Sequence, residues 1–326
     1  FPTWVQRGRK STCVFVRKCN RHMKILLTGS SGFIGSDLTP ILENYWQVHH
    51  LKSNLLDYDK VKQEVEMVNP DLIVHLAART EVEKSFYEQI SFSEVNYLGT
   101  INLIEATKKC TNLKSFLFAS TMEVYGWQPI SEEIKTTGTY TQRQIFDHNT
   151  IPHPNAPYAV AKYACEKYLE YASRSYDLPY TIIRQTNTYG RKQNDFFVTE
   201  AIITRMLANK DSIDMGYAEP YRNFLHVDDL IDIWLKIISN PEKAIGAIIT
   251  VGPDNAIQIK DYANLIAKKL QWNGTINWNK QPKRDGEIYW LNSGNKMTEL
   301  LYNWTPKVDI DTGLDKTIQL WKDKLK

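Results

Sequence analysis

Cysteine is scarce in this chain, and none of its four copies, Cys13, Cys19, Cys110 and Cys165, stands in a CxxC spacing. That argues against a disulfide framework and a thiolate metal site; no metal is expected, Cys165 reads as a packing residue, and a reducing, cytoplasmic setting fits. Long apolar runs are also missing. Nothing approaches the about 18 uninterrupted apolar residues that read as a membrane span, and with 42% hydrophobic and 24% charged residues the composition is globular. There is no internal repeat and no low-complexity stretch. Acids are absent from the first 22 residues, which hold Arg7, Arg9, Lys10, Arg17, Lys18 and Arg21. These account for the formal charge of +3; from Met23 onward 34 basic groups face 37 acidic ones, a net of −3. The body of the protein is therefore not expected to bind nucleic acid. Residues 1–22 are read as a disordered or non-native basic leader ahead of a start at Met23, because the apolar segment from Cys13 to Val16 is too short for a secretory signal.

What is present is an ordered set of short signals. Tyr158 and Lys162 stand four apart, a spacing that puts a phenol and an ammonium on one helix face, where the cation can draw the phenol toward a useful acid/base range. Far upstream, Gly29, Gly32 and Gly35 follow the apolar run Ile25-Leu26-Leu27 in a GxxGxxG turn that offers a dinucleotide pyrophosphate a helix start at Phe33 and Ile34. Between and after them, apolar runs alternate with helical patterns: KILLT then Phe33 to Glu43, WQVHHL then Tyr58 to Val68, DLIVHLAA then Phe92 to Lys109, SFLFAS then Tyr158 to Ser175, and YTIIR. Such alternation predicts an α/β fold with a doubly wound parallel sheet (Rossmann), followed by a smaller C-terminal α/β substrate-binding domain. Thr28, Ala77, Ser120 and Arg184 then fall at strand ends on one edge, where ligands bind. The expected division is a dinucleotide-binding domain over 23–190, to which 223–252 returns with a strand in AIITVG, and a substrate-binding domain over 191–222 and 253–326, which the resemblance described next implies to be nucleotide-sugar-binding. Trp272, Trp278, Trp290, Trp304 and Trp321 are read as packing residues.

Taken together, the TGxxGxxG turn, Leu76-Ala77-Ala78, the N-x-x-G-T element at Asn96, S120-TMEVYG-126 and the Tyr158/Lys162 pair resemble the extended short-chain dehydrogenase/reductase superfamily, in particular its nucleotide-sugar epimerases and dehydratases, from Met23 to the C-terminus. The resemblance implies a tightly held nicotinamide cofactor, NAD with NADP as an alternative, that transiently oxidises C4 of a hexose in a nucleotide-diphosphate sugar. Gly29, Gly32, Phe33, Ile34, Gly35, Leu76, Ala77, Ala78, Asn96 and Ser120 would serve the cofactor. Tyr158 would be the acid/base, with Lys162 stabilising its phenolate and holding the ribose and Thr121 donating to the same oxygen. Glu123 matches a carboxylate that removes the C5 proton in the family's 4,6-dehydratases. Met122 stands where the deoxythymidine-diphosphoglucose dehydratases keep an aspartate, which sets this chain apart from them.

Other positions bear on specificity. The acid expected at the end of the second strand is missing; Lys52 and Ser53 stand there and suit a 2′-phosphate, the basis for NADP. Asp57 resembles a family aspartate near adenine and also suits a helix N-cap. Asn187, Arg222 and Arg284 match groups that hold the substrate diphosphate. His226, Asp228 and Asp229 are given no metal, only a helix start. An NADPH-dependent reductase of 4-keto sugars and a non-catalytic dinucleotide-binding scaffold are the alternatives, and a homodimer paired through the helices at Phe92–Lys109 and Tyr158–Ser175 is expected.

Overall fold

The computed structural model describes residues 22–126, 145–280 and 287–326. Its centre is a six-stranded parallel sheet. In chain order the first five strands are β1 (Lys24–Thr28), β2 (Gln47–His50), β3 (Leu72–His75), β4 (Ser115–Thr121) and β5 (Tyr180–Gln185). Across the sheet the order is β2, β1, β3, β4, β5 and then Ile248–Val251, so the AIITVG segment joins the main sheet. The chain reverses direction across the sheet between β1 and β3, and that switch point opens the crevice in which open α/β sheets bind ligands.

Why these segments are strands is visible in their burial. β3 and β4 are buried at every position, as expected of strands covered on both faces. Alternate residues enter opposite layers: Ile25, Leu27, Leu72, Val74 and Leu117 pack into one cluster, Leu26, Ile73, Phe116 and Phe118 into another. β2, on the edge, is nowhere fully buried. Helices close both faces: Phe33–Glu43 and Val227–Ser239 on the first, Tyr58–Val68, Gly99–Ala106 and Pro157–Tyr176 on the second. A third cluster, with Ile202, Met206, Tyr262, Leu314 and Trp321, forms the core of the later segments. Trp304 and Trp321 are buried, Trp272 and Trp278 pack on that third cluster, and Trp290 lies 5.2 Å from the Tyr221 ring.

One helix departs from its expected form. The pattern from Phe92 to Lys109 predicts a single α-helix; the structure has α-helix over Gln89–Ser93, a π turn over Glu94–Leu98, α-helix again over Gly99–Ala106 and a 3-10 turn to Lys109. The π turn widens the helix by one residue and Asn96 sits within it, 1% exposed. Its amide accepts from Arg79 N at 2.8 Å and donates to Arg79 O at 2.9 Å, pinning the loop after β3. Among the described residues no helix is long and apolar enough to cross a membrane.

Candidate active site

β1 turns into its helix at Gly29, whose φ of +73° is left-handed; a Cβ there would lie 2.6 Å from Ala77 N, and one on Gly35 would lie 2.1 Å from Gly29 O. Both glycines are required by packing alone. Gly32 is different: its φ is −73° and a Cβ would stand 3.3 Å from Gly29 O. Close approach of a ligand is the better reason for a bare backbone there. The helix it opens has no side-chain cap and no acid in its first turn, so its partial positive charge is left for an anion. Gly32, Phe33, Ile34 and Gly35 line a cavity of about 450 Å³. A dinucleotide pyrophosphate fits this bare, uncapped helix start.

The same cavity is lined by Leu76, Ala78, Ser120, Thr121, Met122, Glu123, Tyr158 and Lys162, so the glycine turn and the phenol meet in one space although 129 positions separate Gly29 from Tyr158. Thr121 ends β4, and its Oγ1 accepts from Glu123 N at 3.2 Å, capping the turn Met122–Tyr125. Tyr158, 7% exposed, has its pKa raised above the usual tyrosine range by burial and then by the Glu123 charge; a hydrogen bond with Thr121 and the Arg191 cation act in the opposite sense. Lys162 Nζ donates to Ala119 O at 2.8 Å, and burial pulls its pKa down to about 8.

Several expected residues stand elsewhere. Lys52, Ser53, Asp57, Ala77 and Asn96 line neither this cavity nor its neighbour. The amides of Lys52 and Ser53, both at 2.9 Å, and the Ser53 hydroxyl, at 2.6 Å, hold the Glu64 carboxylate. Donors expected to meet a 2′-phosphate are already taken by an acid. Asp57 caps the Tyr58–Val68 helix through Lys60 N, and Ala77 N donates to Thr28 Oγ1 at 3.2 Å. Ser120 lines the cavity, but its hydroxyl donates at 2.5 Å to Glu166, which is itself paired with the buried Arg184 at 2.6 Å.

A second cavity of about 510 Å³ shares Glu81, Glu123, Asn187, Phe196 and Phe197 with the first, making two lobes of one cleft. Asn187 faces both, and its Oδ1 is buried without a hydrogen-bond partner. Arg222 lines the second lobe, yet its guanidinium donates to Ile288 O at 2.7 Å and pairs with Glu287 at 3.1 Å. Arg284 lies outside the described residues. His226 accepts from Asp228 N and starts the Val227–Ser239 helix; among the described residues no group of three or more His, Cys, Asp or Glu is set to hold a metal.

Sequence reasoning passed over His75, one residue before the LAA segment. Its Nδ1 is 2.6 Å from Thr28 Oγ1 and its Nε2 is 2.9 Å from Thr100 Oγ1. Because Thr100 spends its proton on Asn96 O at 2.6 Å, it accepts from Nε2–H, and Thr28 donates to Nδ1. Burial, then the Lys162 charge, lowers its pKa to about 3. A neutral imidazole of one tautomer therefore ties β1 and β3 to the π turn. Arg191, Glu81 and Glu200 also line the cleft and carry no short sequence signal.

Comparison with known proteins agrees with this geometry. A dTDP-D-glucose 4,6-dehydratase of Dictyostelium discoideum is 31% identical over 274 residues, spanning 76% of this chain and 61% of its own length. A GDP-6-deoxy-D-mannose reductase of Pseudomonas aeruginosa is 26% identical over 319 residues, 93% of this chain and 98% of that protein. The crystal structure of the UDP-glucose 4-epimerase of Thermotoga maritima with UDP-glucose superposes with a TM-score of 0.81 at 26% identity, covering 93% of this chain and all of that one. A family model matches residues 25–252, from the first strand through the glycine turn and the Tyr158 helix to the last strand of the sheet: the chain belongs to the NAD dependent epimerase/dehydratase family.

Proposed function

We propose that this chain is a nucleotide-sugar epimerase or dehydratase that works by transient oxidation at C4 of a hexose. The observation that carries the reading is the convergence of Thr121, Glu123, Tyr158 and the Gly32–Gly35 helix start on one cavity. When bound there, an NAD cofactor supplies reversible hydride acceptance. The chain's own groups do the rest. Gly32, Phe33, Ile34, Leu76 and Ala78 hold the cofactor by bare backbone and apolar contact. Tyr158 takes the proton of the sugar hydroxyl and returns it, with Thr121 steadying the phenolic oxygen. Glu123, on the wall common to both lobes, is the base for a carbon-bound proton, at C5 in a 4,6-dehydratase. Its charge opposes ionisation of Tyr158, which keeps the two acid/base groups from losing protons together. Asn187 and Arg222, in the second lobe, receive the diphosphate.

Purified protein incubated with UDP-, GDP-, dTDP- and CDP-hexoses tests this: a 4-keto-6-deoxy product identifies a dehydratase and an epimer an epimerase, whereas no conversion of any member rejects both. Net reduction of a 4-keto sugar is the second reading, favoured by the Pseudomonas relative; steady consumption of reduced cofactor would support it. We further propose a homodimer through the Gly99–Ala106 and Pro157–Tyr176 helices, supported by Leu98, Val160 and Tyr171, which are 46%, 51% and 47% exposed along that face. A monomeric mass in solution rejects it.

A further inference from the structure

The helix that carries Tyr158 and Lys162 continues the same face to Glu166, one further turn along. Glu166 is 0% exposed and meets two strand ends. Its Oε1 accepts from the Ser120 hydroxyl of β4 at 2.5 Å and from Arg184 Nε of β5 at 3.0 Å, and its Oε2 accepts from Arg184 Nη2 at 2.6 Å. Ser120 and Arg184 are register partners across the two strands, and both are buried. The Arg184 guanidinium also lies 5.0 Å from the centre of the Tyr125 ring, in the turn that bears Glu123. One buried ion pair thus touches the helix of Tyr158, the residue before Thr121 and the turn of Glu123, while neither Glu166 nor Arg184 lines either lobe.

We propose that Glu166 and Arg184 are positioning residues for the reaction: their pair fixes the tilt of the Pro157–Tyr176 helix and so sets the Tyr158 hydroxyl against Thr121 and Glu123. The inference rests on the function proposed above. Stability alone is a poor reason for the pair. Taking two charges out of water costs about as much as their attraction returns, and apolar side chains of similar volume fill such a space as well; Phe116, Phe118, Cys165, Leu169 and Ile182 do so in this same layer. What the pair adds is direction, because a guanidinium fork meets a carboxylate in one plane and at one separation, whereas apolar contacts slide. Its place on the helix matters too. Lys162 fastens the helix at Ala119 O, 2.8 Å away, with Tyr158 one turn to one side and Glu166 one turn to the other, each about 6 Å along the axis. A helix held only at Lys162 can pivot there and carry the phenol as far as Glu166 moves in the opposite sense. The second fastening removes that freedom. A displacement of about 1 Å is enough to cost about 10²-fold in rate.

The test separates position from stability. Glu166→Leu combined with Arg184→Met replaces the pair by apolar volume and should keep the unfolding midpoint at or above that of the wild type, so it serves where either single variant does not fold. With NAD and the member of a UDP-, GDP-, dTDP- and CDP-hexose panel that the wild type converts, the double variant should lose about ten- to a hundredfold in kcat, with KM and NAD affinity within about twofold of the wild type. Arg184→Lys, which keeps the charge but makes a point contact in place of the fork, should fall between the two. Independently of turnover, fluorotyrosine placed at position 158 gives one narrow fluorine resonance in the otherwise wild-type protein, and the double variant should shift or split it. A pair that serves stability alone would leave that resonance in place and let kcat follow the unfolding midpoint. An unmoved resonance, or a double variant that turns over as fast as the wild type, overturns the inference. A moved resonance in a protein that converts no nucleotide sugar upholds the positioning role and rejects the proposed reaction instead.

Discussion

In the lobe built on the glycine turn, the place for an anion is uncommitted: the helix start at Phe33 has no cap and no acid in its first turn. In the lobe beyond it the charged groups are engaged, Arg222 with Glu287 at 3.1 Å and Arg205 with Asp214 O at 2.7 Å. The first lobe's helix start is arranged before any ligand arrives; in the second, on the function proposed above, a diphosphate would exchange places with a carboxylate. Rigid strand ends hold the first, whereas the second depends on short strands such as Tyr221–Arg222 and on segments far apart in the chain. On that reading, preorganisation belongs to the side proposed for the cofactor and partner exchange to the side proposed for the substrate.

The largest expected effect breaks the first lobe at its phenol. Tyr158→Phe should lower kcat by about 10²- to 10⁴-fold while leaving NAD binding and the unfolding midpoint nearly unchanged, as read by single-turnover kinetics and thermal shift. Next, two glycines separate packing from ligand approach. Gly35→Ala drives a Cβ to 2.1 Å from Gly29 O, main chain that cannot yield, and should cost about 3 kcal/mol of stability in denaturant titration. Gly32→Ala, at 3.3 Å, should cost under about 1 kcal/mol yet weaken NAD roughly tenfold by calorimetry. Equal stability losses in the two would deny Gly32 a ligand role.

The first lobe was legible because its residues lie in short segments with a period. Phe33–Glu43 and Tyr58–Val68 begin and end where the sequence pattern does, and the strand ends followed from the alternation. The π turn at Glu94–Leu98 was not legible, since the contact it serves, the Asn96 amide on the Arg79 backbone, joins positions 17 apart. Arg191 gave no sign in the sequence because its place in the cleft wall comes from Phe33, 158 positions away, and from Phe197. Glu64 escaped for a similar reason: an acid was sought on the second strand, and the one that arrives there comes from the following helix.

A third prediction uses pH. Lys162 is 2% exposed, and burial has lowered its pKa from 10.5 to about 8. Between these values the unfolded chain binds the extra proton, so stability rises with pH, by up to about 1.4 kcal/mol per unit, and is flat below. Denaturant titrations from pH 8 to 10 should show that slope in the wild type and lose it in Lys162→Met. The second lobe supplies the fourth. Arg222→Leu should weaken nucleoside diphosphate binding about tenfold, and Glu287→Gln, by freeing the guanidinium, should strengthen it a few-fold. If both variants weaken binding, the pair is a scaffold and the exchange of partners does not occur.

The smallest effect concerns which dinucleotide the first lobe admits. β1 and β2 run in register, Leu27 beside His50, and Leu51 N still donates to Leu27 O at 3.0 Å, which sets Lys52 alongside the start of the glycine turn. Burial acts to raise the Glu64 pKa, but the Ser53 hydroxyl and the two amides outweigh it and leave the carboxyl below its ordinary range. At neutral pH a fixed negative charge thus stands at the end of β2, where an acid favours a ribose 2′-hydroxyl and a 2′-phosphate would be repelled. The wild type should bind NAD more tightly than NADP. Glu64→Gln keeps a side chain able to accept the same amides and removes the charge, so it should narrow that preference by about three- to tenfold without changing affinity for NAD. Calorimetric titration of both dinucleotides into both proteins decides it: a wild type that binds NADP as tightly as NAD, or a variant with an unaltered ratio, would mean that the carboxylate serves the loop alone.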